Sequence, residues 1–532
     1  MSTFTRRRLL LGGLGLAGTG ALAACTGTST GPTTAASPGT FGTPPPVSPT
    51  PGQRVVAKTL TAKPVTLDLG GPTVQTWAYD DSAPGPLIRA TAGDLIRVRV
   101  DNQLPADTTI HWHGIALPNR ADGVPGLTQD PIRPSTAYTY EFTAPDPGTY
   151  FYHPHVGVQL DRGLYAPLII DDPREPGRYD AEWVIVLDDW VDGTGRTPDD
   201  VLKTLTSSPG STADGTGGMP GMDHGSMGAA TGSSTATGGM PGMDHGSMGA
   251  ATGSSTATGG MGGMAMGAEP FGDAGDVAYP HYLINGRIPT AANTFTAKPG
   301  QRVRLRVINA AADTIFTVAL GGHRMTVTHS DGFAVQPRET DAFYIGMGER
   351  YDVTVTLTDG VFPLVAVPFG KEGQAMAIVR TGAGAAPTTP ALPRELTGSI
   401  LQGSQLLPAD QARLPARAVD ATAPLTLTGQ MAPYQWGING APFGKNEPIT
   451  VGKGQRLRLD VTNMTMMAHP LHLHGHTFAL AGSGLRKDTV MLRPMESMPV
   501  EIQADNPGQW AAHCHNIYHA EAGMMIALKY RA

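Results

Sequence analysis

The C-terminal segment 513–524 is dense in side chains that bind metal ions. Cys514 supplies a thiolate, His519 an imidazole and Met524 a thioether, and His469 offers a second imidazole upstream. Two imidazoles, a thiolate and a weak axial thioether form the ligand set of electron-transferring blue copper. The sequence therefore predicts such a copper site from these four residues.

The two histidines that flank Cys514 must serve a different site. Side chains alternate along a β-strand, so His513 and His515 both point to the face opposite Cys514. They belong to four His-x-His pairs that account for eight of the 16 histidines: His111/His113, His153/His155, His472/His474 and His513/His515. A single such pair is more often a surface pair than a metal site. Imidazole also binds copper, iron, zinc and nickel alike, so it is the adjacent Cys514 that indicates copper.

These four pairs and the Cys514 segment resemble the four copper motifs of the multicopper oxidases. The matching stretches are His111-Trp112-His113-Gly114, Tyr152-His153-Pro154-His155, 469–476 and 513–524, and the resemblance runs from about residue 83 to the C-terminus. It implies an all-β fold of three cupredoxin-like Greek-key β-sandwich domains. It also implies four copper ions (one type 1, one type 2 and a type 3 pair), with O2 as the electron acceptor.

The resemblance further implies how the ligands are shared. The type 1 copper, which takes single electrons from a donor, would be held by His469, Cys514, His519 and Met524. The type 2 copper would be held by His111 and His472. The type 3 ions would take two triplets: His113, His153 and His515 on one ion, and His155, His474 and His513 on the other. An axial methionine predicts a moderate reduction potential, suited to easily oxidised donors.

Reduction of O2 consumes protons, so an acidic side chain must reach the cluster. Asp122, nine residues after His113, matches the acid that follows the first motif in bacterial members of the family. A loop aspartate that makes a turn before Gly123 is the competing interpretation. The second acid of the family directly follows the type 1 histidine, but that position is Ala520 here, and Glu521 comes one residue later. Asp122 and Glu521 are therefore the candidate catalytic acids.

Length and composition predict several small β-domains. The chain has 532 residues, which suggests about three domains, and its 69 glycines and 46 prolines favour short strands and turns. The net charge of −7 and the lack of a long basic run argue against a nucleic-acid partner. We expect a monomer.

Three segments repeat a glycine turn followed by an alternating strand: 91–100, 298–307 and 452–461. In the first and third copies, the histidine that lies eighteen residues after the turn glycine begins a His-x-His pair. In the middle copy the same count reaches Val318, with Leu320 two residues later. The chain therefore contains three copies of one unit, of which the middle copy binds no copper. The first and third copies should share one interface.

The N-terminus resembles a twin-arginine export signal that ends in a lipoprotein cleavage site. Arg6, Arg7 and Arg8 precede a short apolar run to Ala24, and Cys25 follows. An ordinary signal peptide cleaved nearby is the alternative. We expect a signal over 1–24, a flexible tether over 25–52 and domains over 53–175, 176–390 and 391–532. An acylated Cys25 would anchor the protein on the outer face of the cell membrane. Without that anchor the protein would be periplasmic or extracellular.

A low-complexity insert over 207–268 interrupts the second domain and contains a 21-residue repeat. It has too few apolar residues to bury a core, so we expect it to be disordered. Soft thioethers select Cu(I), and the insert offers them together with two histidines. These candidate Cu(I) ligands are Met219, Met222, His224, Met227, Met240, Met243, His245, Met248, Met261, Met264 and Met266. A simple flexible linker is the alternative interpretation.

Three functions follow from these features. The first is an exported, membrane-tethered oxidase whose donor is Cu(I), in copper tolerance, with laccase-like oxidation of phenols and aromatic amines. The second keeps the chemistry but makes organic molecules the main donors. The third is a copper-storing cupredoxin protein without turnover, against which the complete ligand set argues.

The Cys25→Ala variant tests the anchor. Without the acyl chains the protein should move from the membrane fraction to the soluble fraction, because those chains hold it at the bilayer. Fractionation followed by immunoblotting measures the change, and Thr26→Ala is the control that should stay with the membrane. Persistent membrane association of Cys25→Ala would contradict the lipoprotein prediction.

Overall fold

The computed structural model describes residue 41 and residues 44–175, 177–207 and 270–531. The predicted signal, Cys25 and the methionine-rich insert lie outside these residues. Within the described ranges no helix is long and apolar enough to span a membrane. The end of the predicted tether lies against the first domain, where the Val47 N–H donates to Glu141 (2.8 Å) and Arg97 donates to the Val47 carbonyl (3.0 Å).

The first domain is a pair of four-stranded sheets with the strand orders β2-β1-β4-β6 and β3-β8-β7-β5. Its strands are β1 (Val55–Asp68), β2 (Thr73–Tyr79), β3 (Ile88–Thr91), β4 (Leu95–Asn102), β5 (His111–His113), β6 (Ala137–Thr143), β7 (Gly148–His153) and β8 (Ala166–Asp171). Because β5 pairs antiparallel with β7, His111 lies opposite His153.

The second domain contains two six-stranded sheets with the orders β10-β9-β12-β17-β14-β15 and β11-β19-β18-β13-β16-β20. Its strands are β9 (Ala181–Trp190), β10 (His281–Ile284), β11 (Thr294–Thr296), β12 (Arg302–Asn309), β13 (Phe316–Leu320), β14 (Met325–Ser330), β15 (Phe333–Thr340), β16 (Ala342–Ile345), β17 (Arg350–Thr356), β18 (Val361–Pro368), β19 (Ala375–Arg380) and β20 (Ile400–Leu401). Strand β20, which falls in the range 391–532 expected for the third domain, pairs with β16 of the second.

The third domain has one six-stranded and one five-stranded sheet, ordered β22-β21-β24-β29-β26-β27 and β23-β31-β30-β25-β28. Its strands are β21 (Ala421–Gln430), β22 (Gln435–Ile438), β23 (Ile449–Val451), β24 (Arg456–Asn463), β25 (His469–Leu473), β26 (Phe478–Leu480), β27 (Arg486–Lys487), β28 (Thr489–Leu492), β29 (Val500–Gln503), β30 (Gln509–Cys514) and β31 (Met525–Tyr530). Pairing of β25 with β30 sets His472 opposite His513 and Leu471 opposite Cys514.

The three-fold repetition seen in the sequence is a repetition of structure. The repeated segments form β4, β12 and β24, and each runs parallel to the first strand of its own domain. In β4 and β24 burial alternates along much of the strand, as the apolar periodicity predicts, whereas in β12 every residue after Arg302 is buried. In the middle copy, Val318 and Leu320 of β13 are buried in the core where the other two domains carry histidines.

Two α-helices are described, α1 (Pro198–Ser207) and α2 (Ile517–Glu521). Short 3-10 turns occur at Asn119–Ala121, Gln159–Asp161, Pro289–Ala291, Arg394–Thr397, Gly403–Gln405 and Asp410–Ala412. Asn516 caps α2, since its Oδ1 accepts hydrogen bonds from the N–H groups of Tyr518 and His519. This cap holds His519 directly beside the end of β30.

Candidate metal centres

Three side chains of the third domain converge on one buried point. The Cys514 Sγ lies 3.5 Å from the Nδ1 of His469 and 3.6 Å from the Nδ1 of His519, and the two Nδ1 atoms are 3.1 Å apart. All three residues are fully buried. Met524 is also fully buried, and its backbone is hydrogen bonded to that of Cys514 and of His519. Three of the four predicted type 1 ligands therefore converge on one point, and Met524 is joined to Cys514 and His519 through its backbone.

The outer nitrogens of the two imidazoles in this site have fixed partners. The Nε2 of His519 donates to Asp276 (2.8 Å), and Thr465 Oγ1 lies 2.7 Å from the Nε2 of His469. Burial alone would lower the pKa of His519, but the Asp276 carboxylate raises it to about 10. The proton stays on Nε2 toward Asp276, which leaves Nδ1 as the atom that can bind a metal. Sequence reasoning missed Asp276, which follows the insert by a few residues and carries no motif.

Eight histidines from the first and third domains meet at a second buried centre. Ligand atoms of three groups lie within 4.8 Å of one another: His111, His113 and His472; His113, His153 and His515; and His155, His474 and His513. Within the groups, the Nε2 atoms of His111 and His472 are 3.3 Å apart, and those of His474 and His513 are 3.0 Å apart. The second and third groups contain the same residues as the two type 3 triplets that the resemblance implies, and the first contains the implied type 2 pair, His111 and His472, together with His113.

The free nitrogens of this cluster show that it suits a metal. The outer Nδ1 atoms of His111 and His472 donate to the carbonyls of Asp122 (2.8 Å) and Asp488 (2.9 Å), which turns their Nε2 lone pairs inward. Four buried nitrogens have no hydrogen-bond partner among the described residues: Nδ1 of His113, Nε2 of His153 and both ring nitrogens of His515. Buried imidazole nitrogens are costly without a partner, so a bound cation would satisfy them.

Burial also fixes the protonation state of the cluster. Removal from water, followed by repulsion from the other rings, lowers the pKa of His153, His155, His474 and His515 well below the usual range, and lowers that of His513 to about 3. The rings are therefore neutral at physiological pH and keep the lone pairs that bind metal ions.

Two buried carboxylates flank the cluster, and their pKa values are shifted in opposite directions. Burial raises the pKa of Asp122, whose carboxylate lies 3.1 Å from the Nδ1 of His474. Burial would also raise the pKa of Asp488, but the paired Arg350 guanidinium holds it well below the usual range. Asp122 therefore retains a proton more readily, whereas Asp488 stays charged 3.2 Å from the Nε2 of His113. The sequence pointed to Asp122 but gave no signal for Asp488.

Glu521, the other candidate acid, lies away from the histidine cluster. Its side chain is exposed at the end of α2 and makes no hydrogen bond to a cluster histidine within the described ranges. The methionines and histidines expected to bind Cu(I), from Met219 to Met266, lie outside the described residues.

The two centres are joined through a single short stretch of backbone. Cys514 faces His469 and His519, while its neighbours His513 and His515 face the cluster. This opposite placement follows from the alternation of side chains along β30. A path from one centre to the other needs only the covalent bonds between Cys514 and an adjacent histidine.

Known multicopper oxidases are similar to this chain over nearly its whole length. Family models described as multicopper oxidase match residues 60–175, 265–384 and 417–532. The chain is 46% identical to the multicopper oxidase MmcO of Mycobacterium tuberculosis, over 99% of this chain and 97% of that protein. It is 30% identical to a copper resistance protein A homolog of Pseudomonas syringae pv. tomato, over 83% of this chain and 86% of that protein.

Solved structures share the fold. A multi-copper oxidase from Pseudomonas thermotolerans superposes with a TM-score of 0.64 at 26% identity, over 90% of this chain and 100% of that one. Fet3p, a multicopper oxidase that functions in iron import, has a TM-score of 0.70 at 19% identity, over 90% of each chain. At this low identity, the similarity to Fet3p shows a shared fold and nothing more.

The Cys514→Ser variant tests the division into two centres. It should lose the blue absorbance and the oxidation of donors but only one copper per chain, because the eight cluster histidines are unchanged. Visible and EPR spectra with copper analysis measure this, and Cys25→Ser, which changes the other cysteine, should keep both properties. Loss of every copper in Cys514→Ser would show that the two centres are not separable.

Proposed function

Because the chain belongs to the multicopper oxidase family, it couples one-electron oxidation of donors to reduction of O2 to water, and we propose that its donor in the cell is Cu(I). Oxidation of phenols and aromatic amines accompanies this activity in the proposal. In this proposal the protein serves copper tolerance. It is a monomer held at the outer face of the cell membrane by lipid on Cys25.

The ligand assignment is part of the proposal and rests on the geometry of the two centres. His469, Cys514, His519 and Met524 would hold the type 1 copper, and the eight histidines would hold the type 2 and type 3 ions as grouped above. The four coppers supply the electron transfer and O2 chemistry that the side chains lack. The protein positions the donors, excludes water from the cluster and delivers protons.

The observation that carries the choice of Cu(I) is a pair of exposed thioethers beside the type 1 site. Met464 and Met466 lie on the loop that leads into His469, with exposed fractions of 52% and 71%. Large apolar side chains gain nothing from this exposure, whereas thioethers are ligands that select Cu(I). Thr465, between them, contacts the Nε2 of His469. A cuprous ion bound here would reach the imidazole edge directly.

The methionine-rich insert ends on this same loop. The Ala468 N–H donates to the Phe271 carbonyl (3.1 Å), and Gly272 and Asp273 form bridges with Met467. The first residues after the insert are therefore fixed next to the exposed methionines. This supports a role for the insert in bringing Cu(I) to the type 1 site.

Asp276 gives the donor side a negative charge. Its carboxylate accepts hydrogen bonds from His519 and from the Tyr434 hydroxyl (2.6 Å). A cationic donor is attracted to a site with a fixed carboxylate, and a carboxylate on the outer nitrogen keeps an imidazole correctly oriented. The first effect favours a metal ion over a neutral phenol as the donor, whereas the second serves the type 1 site with either donor.

Proton delivery is assigned to Asp122. It is fully buried, contacts His474, and holds its proton to a higher pH than an exposed aspartate does. Asp488 instead supplies a constant negative charge that offsets the positive charge of bound metal ions. The two carboxylates thus have different tasks set by their surroundings.

Organic donors as the main substrates are the second candidate. Relatives that are laccases, such as Laccase-2 of Cryptococcus neoformans at 27% identity, favour it. The buried Trp436 ring lies against the His519 ring, with 4.1 Å between the two ring centres, and gives the type 1 site an aromatic neighbour. Rates with Cu(I), Fe(II) and a phenol, measured by oxygen uptake, distinguish the two candidates.

Removal of the thioethers should slow the oxidation of Cu(I) but not the oxidation of a phenol. Met464→Leu with Met466→Leu keeps the apolar volume but removes both sulfur atoms, and kcat/KM for Cu(I) should fall roughly tenfold, as for the loss of a modest ligand interaction. The rate with 2,6-dimethoxyphenol should remain at the parental level. Steady-state oxygen uptake gives both values.

Replacement of the nine insert methionines by serine separates delivery from binding at the loop. It should weaken Cu(I) capture, leave both copper centres intact and maintain or raise phenol oxidation, because bulky donors would reach the type 1 site more easily. If both methionine variants oxidise Cu(I) with the parental kcat/KM, the donor assignment returns to organic molecules.

Asp122→Asn should slow reoxidation of the reduced enzyme by O2 about 100-fold without changing copper content, because an amide cannot pass on a proton. In the parent enzyme the rate should fall as the pH rises through the raised pKa of Asp122, and in the variant this dependence should disappear. Stopped-flow absorbance measures the rate. Glu521→Gln is the matched control and should reoxidise at the parental rate; equal rates for Asp122→Asn would remove Asp122 from the proton path.

A further inference from the structure

A cavity of about 840 Å³ lies where the three domains meet, and none of the proposed copper ligands lines it. Its walls include Gly148 and Glu175 from the first domain, Arg304 and Val335 from the second, and Arg486 from the third. Cavities at domain junctions with an apolar wall and a few converging polar groups are the usual sites for small ligands.

The charge of this cavity is predominantly positive. Six arginines line it, at positions 174, 178, 302, 304, 306 and 486, against three carboxylates at positions 146, 172 and 175. Arg304 is matched by Glu175 and Asp352, and Arg306 by Asp352 and Glu182. Arg178, Arg302 and Arg486 have no carboxylate within 4.0 Å in the described part of the chain. The cavity therefore presents unpaired positive charge.

Arg486 differs from the other two because it is half-buried and stacks on an aromatic ring. Burial lowers the pKa of its guanidinium, and neither Asp146 nor Asp505 comes close enough to pair with it. Its hydrogen bonds run from Nε and Nη2 to the Thr477 hydroxyl, which leaves Nη1 without a protein partner among the described residues. A half-buried guanidinium with a free edge is a site for an anion.

An aromatic surface lies directly against this guanidinium. Arg486 stacks over the ring of Phe333, with 4.4 Å from the guanidinium carbon to the ring centre. Val335 and Ile170, both buried, extend the apolar wall. Arg304, which also lines the cavity, has a buried Nε without a hydrogen-bond partner among the described residues. The cavity thus combines an apolar wall with a free guanidinium edge at Arg486.

We propose that this three-domain cavity binds an aromatic carboxylate. The carboxylate lies on the free edge of Arg486, with Arg302 and Arg178 at the mouth, and the ring packs against Phe333 and Val335. A planar guanidinium forms paired hydrogen bonds with a carboxylate, which an inorganic cation or a neutral ring cannot replace. The site is separate from the donor site beside His469 and does not depend on which donor is oxidised.

Isothermal titration of the copper-loaded enzyme with benzoate tests the proposal. Benzoate should bind saturably with one site per chain, while benzamide, which has the ring without the charge, and acetate, which has the charge without the ring, should each bind at least tenfold more weakly. Arg486→Gln should weaken benzoate binding at least tenfold. Arg302→Gln, at an exposed position where the fold does not depend on the side chain, should weaken it as well.

Arg287→Gln is the matched control, because Arg287 is an arginine outside the cavity that pairs with Asp68. It should bind benzoate as the parent does, and blue absorbance and Tm should show that every variant is folded and loaded. Equal affinity of parent, Arg486→Gln and Arg302→Gln would place benzoate elsewhere, for example at the coppers, and would overturn the proposal. So would equal binding of acetate or benzamide, or the absence of saturation below roughly 20 mM benzoate.

Discussion

The rest of the structure depends on holding eight neutral imidazoles, withdrawn from water, around one point between the first and third domains. Neutral rings present lone pairs, but they have no mutual attraction, so the surrounding protein must position them. It does so with carbonyls on the outer nitrogens of His111 and His472, and with strand pairs that set His111 opposite His153 and His472 opposite His513. Desolvation lowers the pKa of the seven rings other than His111 and favours their uncharged form.

The middle domain carries none of the proposed ligands, yet it closes this centre with buried charge. Arg350 donates to both carboxylate oxygens of Asp488 at 2.6 Å, beside the histidines of the third domain. Loss of one partner from such a pair costs about 3–5 kcal/mol, because a buried charge is left uncompensated. Gly348 also approaches the cluster, with a φ of +82°, and a Cβ there would lie 2.9 Å from His515. The second domain therefore contacts and supports a site whose proposed ligands all come from the other two domains.

The donor side and the O2 side share one strand but differ in access. Cys514 and its two flanking histidines place the centres back to back, so an electron crosses between them along covalent bonds. The cluster is sealed by three domains, whereas the type 1 histidines lie close to the exposed loop that carries Met464 and Met466. This arrangement separates a site that must exclude water from a site that must meet a donor.

The residue pattern alone indicated the proposed copper ligands, the three repeats and a middle copy without ligand histidines. These features are local, because the spacing of two within His-x-His and the alternation around Cys514 decide which face each side chain takes. Asp488, Asp276 and the cavity arginines carry no comparable pattern. The partner of Asp488, Arg350, is 138 residues away in the chain, and the partner of Asp276, His519, is 243 residues away. Only tertiary structure decided their roles, since burial and the charge of distant neighbours, and not residue type, determine whether a carboxylate is a proton donor, a fixed charge or an ordinary turn residue.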